Sequence, residues 1–335
     1  MNMMIDAFCH VMPRPVFDRI GQLAPNIPAV TAFAKLPELW DQDRHFRLID
    51  AFEGYRQIPS LANPPIELVA GPEGSPDLAR MVNDELAELV AKNPDRFAGF
   101  VAAMPMNNPD AACAEALRAV GTLGACGIQM FTNVNGRPLS DAEFMPIFET
   151  MVELDRPVWI HPMRGAGFAD YATESASENE IWFTFGWPYE TSACVTRLIF
   201  AGLFDRLPKI KIITHHMGGM IPYFSEKIGL GFSQIFGGRP EHNPAAQAAG
   251  LARQPLEYYR MLFADTALNG SAAATRCGHD FFTTPHCVFA TDAPFDATGG
   301  RGLIGRTIAA VNALDISAEE RARIFSGNIL ELIGR

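Results

Sequence analysis

Four side chains able to bind a metal or move a proton stand at the ends of short apolar runs. His10 closes Met4-Ile-Asp-Ala-Phe-Cys-His10, and His161 closes Pro157-Val-Trp-Ile-His161. His216 closes Ile212-Ile-Thr-His-His216, and Asp292 closes Val288-Phe-Ala-Thr-Asp292. Imidazole nitrogen and carboxylate oxygen are ligands for divalent transition metals. They are also the groups that exchange protons most readily near neutral pH. Ligands at the ends of separate strands converge only if those strands share one barrel mouth, which is where a (β/α)8 barrel builds its site.

The chain supplies the elements such a mouth needs. Eight short runs dense in Val, Ile, Leu or Phe read as strands: Met4–Cys9, Gln57–Leu61, Phe97–Ala103, Gly127–Met130, Val158–His161, Ile210–Thr214, Leu262–Asp265 and Val288–Thr291. Most lack polar alternation, as expected of strands covered on both faces. Helical patterns separate them, at Asp77–Lys92, Pro109–Gly121, Asp141–Leu154, Glu190–Gly202, Gly219–Gly229, Gly300–Leu314 and Ser317–Leu332. Asn108 is placed to cap the second, with Pro109 at its first position, and Ser317-Ala-Glu-Glu320 is a capping-box pattern. Strands alternating with helices predict a parallel sheet, and eight of them predict closure. The expected fold is therefore α/β, a distorted (β/α)8 TIM barrel spanning residues 1–335 as one domain. Two excursions, Pro15–Asp41 and Phe232–Pro255, are too long for tight barrel loops and are expected to form lid segments or a subunit contact.

The site residues differ in how strongly they point to function. A lone strand-end histidine such as His161 reads, by itself, more readily as a core residue satisfied by backbone than as a ligand. Asp292 is stronger, because a carboxylate ending an apolar strand is costly to bury unless a metal or a proton partner compensates it. Of the neighbours His215 and His216, alternation along a strand lets only one face the axis. Asp265, one strand before Asp292, could accept a histidine N–H and hold that ring in place.

Taken together the fragments resemble the amidohydrolase superfamily, in the branch that contains aminocarboxymuconate-semialdehyde, resorcylate and carboxyvanillate decarboxylases. The residues that carry this are Ile5-Asp6, Pro157-Val-Trp-Ile-His-Pro162, Gly186-Trp-Pro-Tyr-Glu-Thr191 and Leu198-Ile-Phe-Ala-Gly202. Phe204-Asp-Arg-Leu-Pro208, His216-Met-Gly-Gly-Met-Ile-Pro222, Thr291-Asp-Ala-Pro294 and Gly327-Asn328 continue it. The resemblance implies a strand-one pair of ligands, His-x-His or Glu-x-His. His10 matches the second position, and Phe8 falls on the first, where it cannot ligate. It implies that His161 is a ligand, that Asp292 is both ligand and proton carrier, and that His216 is the catalytic histidine, leaving His215 to pack outward. The end of strand four, Ile128-Gln-Met-Phe131, has no lysine, so a single divalent metal is expected, zinc first and manganese as the alternative. The metal ligands are then His10, His161 and Asp292, and Phe8 puts the strength of binding in question.

What that implies in function is a metal-dependent, non-oxidative decarboxylase of an unsaturated or aromatic carboxylic acid, with Asp292 and His216 catalytic. The alternative is a metal-dependent hydrolase or hydratase of a lactone, ester or ring-cleavage product using the same residues. A substrate carboxylate would suit an arginine fork. Arg164, in His-Pro-Met-Arg, and Arg47, before strand two, are the candidates, and Trp187 belongs to an aromatic cluster suited to a planar substrate.

Composition bounds the rest. With 335 residues, 48% hydrophobic and 19% charged, the chain suits one barrel. A net charge of −11 with no basic stripe argues against nucleic acid or anionic membrane as partners. The start, Met-Asn-Met-Met-Ile-Asp, has no basic or apolar leader pattern, and no run is long and apolar enough to span a bilayer. A cytoplasmic protein is expected, its six cysteines reduced. The resemblance implies a homodimer.

Overall fold

Strands buried on both faces pair in parallel and expose only their ends. The computed structural model describes residues 3–232 and 250–335. Its barrel strands are β1 (Met4–His10), β2 (Tyr55–Ser60), β3 (Val101–Ala103), β4 (Gly127–Phe131), β5 (Val158–His161), β6 (Ile212–Thr214), β7 (Phe263–Asp265) and β8 (Cys287–Val288). All eight overlap the apolar runs, but β3 covers only the end of Phe97–Ala103 and β8 shares only Val288 with Val288–Thr291. β1 pairs with β2, and β3 through β8 pair in sequence order, every pairing parallel.

Individual backbone hydrogen bonds join these two sets. Gln57 N–H donates to the Arg96 carbonyl at 2.9 Å, and Ala98 N–H donates to Gln57 at 2.8 Å, bringing β2 against the segment before β3. At the other seam Ala7 N–H reaches the Phe289 carbonyl at 2.8 Å, Asp292 N–H reaches Phe8 at 3.1 Å, and His10 N–H reaches Ala293 at 2.8 Å. The strand order is thus that of a distorted (β/α)8 barrel, with its ladder interrupted at both seams.

The seam beside the site depends on β1. Between Asp6 and Cys9 that strand advances three residues while β2 advances two, from Gln57 to Pro59. A bulge of this kind re-aims the side chains that follow it. Ala7 and Phe8 consequently both enter the inner core with Ile58, Val101, Trp159 and Ile213, which Ile329, Leu332 and Ile333 close from below. Asp6 is fully buried: its Oδ2 accepts from the Tyr55 hydroxyl at 2.5 Å and from the Thr291 hydroxyl, and its Oδ1 from Thr291 N–H at 3.1 Å and Phe8 N–H at 3.3 Å. One carboxylate therefore ties β1, β2 and the chain after β8 together.

The capping expectations hold. Asn108 accepts from Ala111 N–H at the start of the Pro109–Gly121 helix, and Ser317 and Glu320 form the reciprocal box. The final pattern, expected as one helix, is broken by a π-helical turn at Arg323–Gly327. The excursion Pro15–Asp41 folds into the helices Arg14–Leu23 and Pro28–Phe33 and the turn Pro37–Leu39. It borders the barrel mouth: Met12 N–H bonds the Leu39 carbonyl, and the Phe33 ring lies 5.2 Å from that of Phe295. Most of the second excursion, Gly237-Gly-Arg-Pro240 included, lies outside the described residues. Among the described residues no helix is long and apolar enough to cross a membrane.

Removing the Asp6 carboxylate strands a buried phenol, a buried hydroxyl and two N–H groups. Asp6→Ala is expected to cost about 3 kcal/mol or more in urea unfolding, the scale for leaving several buried hydrogen-bonding groups unsatisfied. A change within about 0.5 kcal/mol, the range of ordinary surface substitutions, would show that this seam does not depend on Asp6.

Candidate metal centre

Three imidazoles meet at the mouth, and each has one ring nitrogen already committed away from the centre. His10 Nδ1 lies 3.1 Å from Ser60 Oγ, whose own O–H is donated to the Cys9 carbonyl. The His161 Nδ1–H donates to the Pro162 carbonyl at 2.7 Å. The His215 Nδ1–H donates to Asp265 Oδ2 at 2.5 Å, and Asp265 Oδ1 accepts from Ala267 N–H at 3.0 Å. A carbonyl or carboxylate can only accept, so these partners leave Nε2 of each ring with a free lone pair when the ring is neutral.

The remaining nitrogens converge. Ring centroids lie 5.3 Å apart for His10 and His161, 5.2 Å for His161 and His215, and 6.2 Å for His10 and His215. One ligand atom from each lies within 4.8 Å of the others, and the same holds for His215, His216 and Asp292. Asp292 Oδ1 lies 3.2 Å from His10 Nε2 and 3.4 Å from His215 Nε2, and Oδ2 lies 3.4 Å from His216 Nε2. Neither His10 Nε2 nor His215 Nε2 makes a well-directed hydrogen bond, although both are fully buried. Lone pairs and carboxylate oxygens crowded without donors require a cation among them, a proton or a metal. Imidazole nitrogens with one carboxylate are a donor set that fits a divalent transition metal.

The charges follow this geometry. Burial alone would raise the Asp292 carboxyl, but the close approach of the His10, His215 and His216 nitrogens and the charge on His215 hold it well below the usual carboxylate range. Burial disfavours charge on His215, yet the Asp265 charge and hydrogen bond outweigh it and push the imidazole up to about 10. Burial, with His215 and His10 adding repulsion, holds His161 well below its ordinary value. Burial and His215 likewise lower His216.

One expectation is corrected. His215 does not pack outward. Ile213 lies in the inner core, so the residue two further along shares its side, and His215 is fully buried at the centre. His216 also reaches Asp292, because regular β6 ends at Thr214 and His216 turns left-handed at φ 54°. Alternation holds only while the strand does, and both histidines enter the mouth.

Phe8 also faces the centre. Its ring is 4.0 Å from His215, 5.7 Å from His10 and 5.8 Å from His161. Trp187 forms part of the wall, 5.4 Å from His161 and 6.4 Å from His216. Phe131 at 5.0 Å from His161 and Phe295 at 5.4 Å from His10 complete an aromatic surround that sequence reasoning had not singled out. Arg164 adjoins this wall: its carbonyl accepts the Trp187 indole N–H at 3.2 Å, while its guanidinium is paired with Glu190 at 3.1 Å. Arg47 is not brought to the site. It is exposed on the Gln42–Ile49 helix, whose buried residues are His45, Leu48 and Ile49. Cys9 is fully buried, and burial pushes its thiol up, away from reactivity.

The family model for amidohydrolases matches residues 5–335, and the chain belongs to that family. It is an enzyme of the amidohydrolase superfamily, similar to carboxy-lyases. One relative is the 2-amino-3-carboxymuconate-6-semialdehyde decarboxylase of Dictyostelium discoideum, 28% identical over 88% of this chain and 77% of that one. Another is the gamma-resorcylate decarboxylase of Polaromonas sp. strain JS666, 37% identical over 54% of this chain and 57% of that relative's length. Among solved structures, a dihydroxybenzoic acid decarboxylase from Polaromonas sp. JS666 with bound manganese and the inhibitor 2-nitroresorcinol superposes with a TM-score of 0.79. It is 27% identical and covers 100% of this chain and 97% of its own.

A cation entering between these groups would displace the proton that the raised His215 holds toward Asp292. Metal uptake is therefore expected to release protons, and apparent affinity to climb with pH toward about 10. The sign for stability follows from the same raised value. In the metal-free protein the His215 contribution is complete below about 6.5 and is lost as pH rises through about 10. Titration calorimetry in buffers of different ionisation enthalpy measures the proton release; uptake with none would contradict this charge state.

Proposed function

We propose that this protein is a metal-dependent, non-oxidative decarboxylase of a small aromatic or unsaturated carboxylic acid. The observation that carries this reading is the ionised Asp292 beside His216, at a donor-poor centre walled by Trp187, Phe131 and Phe295. The decarboxylases to which the chain is similar support it.

His10, His161 and Asp292 would hold one divalent ion, zinc by the preponderance of imidazole, with manganese as the alternative. When bound, that ion supplies Lewis-acid withdrawal of charge from a substrate oxygen. The chain's own groups do the rest. Trp187 and its aromatic neighbours give a planar substrate an apolar face and exclude water. Arg164 holds Trp187 through its backbone carbonyl, and its guanidinium, paired with Glu190, would serve as the fork for a substrate carboxylate.

The proton route runs through His216 Nε2 and Asp292 Oδ2, 3.4 Å apart. The bond from the ring carbon to the carboxylate breaks, and its electron pair stays on that carbon. The same carbon takes a proton that enters from solvent and is relayed through His216 Nε2, which Asp292 Oδ2 orients, and CO2 departs. His216 keeps 16% of its side chain exposed, against 0% for His10 and His215, so the replacement proton enters at its edge.

A panel of hydroxylated benzoates and muconate-type acids, assayed for CO2 beside a lactone and ester panel, tests the reaction class. CO2 release is expected, and turnover of lactones alone would contradict it. Asp292→Asn is expected to lower kcat at least ~100-fold, the scale for disabling a positioned acid–base relay, with an unchanged circular dichroism spectrum. Trp187→Ala is expected to raise KM about 10-fold, by loss of an aromatic contact surface; an unaffected KM would remove Trp187 from the substrate wall.

A further inference from the structure

We infer that His215 is the fourth metal ligand, supplied from β6 in place of the one that β1 lacks, so that the centre is His10, His161, His215 and Asp292. This rests on the metal-dependent reading above. Phe8 lies among the three imidazoles and offers no lone pair, its ring fully buried with its centroid 4.0 Å from that of His215 and tilted 31° to it. That phenyl ring fills the volume a β1 ligand would occupy, and the ring packed on it is an imidazole with a free nitrogen.

Three features of His215 mark a ligand rather than a core histidine. Its Nδ1–H is fixed by Asp265, which sets the tautomer and the ring plane. Its Nε2 is fully buried, has no well-directed partner, and lies 3.4 Å from the same Asp292 oxygen that faces His10. Its ligand atom falls within 4.8 Å of those of His10 and His161. A core histidine satisfied by Asp265 alone would have no need to aim its second nitrogen at two other imidazoles. His216 does not compete for this role, because its contact is to the other oxygen of Asp292 and its ring is the more exposed. The division is therefore ligand for His215 and proton carrier for His216. Three imidazoles and one carboxylate suit zinc better than manganese, which prefers oxygen donors.

The test is zinc affinity of the purified full chain, by competition with a chromophoric zinc chelator, with zinc content by elemental analysis. Wild type is expected to hold one zinc. His215→Ala is expected to weaken zinc about 100-fold or more, since loss of an outer-shell partner alone costs 10–100-fold. Asp265→Asn, which keeps the ligand but loosens its ring, is expected to fall within that outer-shell range. The double variant Phe8→His/His215→Ala is expected to recover at least tenfold over His215→Ala, because the ligand returns to β1. The cobalt(II)-loaded forms should show altered ligand-field bands in His215→Ala.

Wild-type zinc affinity in His215→Ala would overturn the assignment while leaving the metal reading intact. A wild-type chain that takes up no zinc or manganese would overturn the metal reading itself. If His215→Ala does not fold, Asp265→Asn decides: unchanged affinity and unchanged cobalt bands overturn the role given to His215.

Discussion

Asp292 lies at the barrel mouth with His10 and His215 nitrogens within 3.4 Å of one oxygen and a His216 nitrogen 3.4 Å from the other. A buried carboxylate in that position is tolerable only if positive charge is shared with it. The three anchored rings cannot supply it as donors while neutral, because Ser60, Pro162 and Asp265 occupy their Nδ1 sides. The centre must hold a proton or a metal ion. That constraint explains the raised His215 and the depressed Asp292, and it makes the site a cation trap before any substrate arrives.

The scaffold serves this constraint at two places. The bulge in β1 turns Phe8 and His10 toward the same centre, and Asp6 fixes the bulge to β2 and to Thr291, the residue before Asp292. At the end of β6 regular alternation places His215 with Ile213, and the left-handed turn at His216 then swings the next ring onto the opposite side of Asp292. Two adjacent histidines thus meet different oxygens of Asp292 because the backbone stops being a strand between them.

Much of this was legible in the sequence. Eight apolar runs gave the strands, Asn108 and Ser317 gave helix starts, and the four strand-end residues His10, His161, His216 and Asp292 do meet. Asp265 proved to be a histidine's partner, as its place one strand earlier suggested. His215 was misplaced because alternation was applied past Thr214, where the strand ends. Counting back to Ile213 would have turned it inward, but which face Ile213 presents is set by the barrel and not by its type. Arg47 failed for a related reason: its charge suggested a carboxylate, while the helix presents His45 and Leu48 inward instead. Phe131 and Phe295 were invisible as wall residues, since aromatic residues near strand ends are as often core.

X-ray absorption at the metal edge of the zinc-loaded wild-type chain tests this account most directly, because it counts ligands without relying on turnover. The account predicts one zinc per chain, bound by three imidazoles and a carboxylate oxygen, with the outer-ring scattering of three histidines. A zinc bound by two imidazoles, or no imidazole scattering at all, would contradict it.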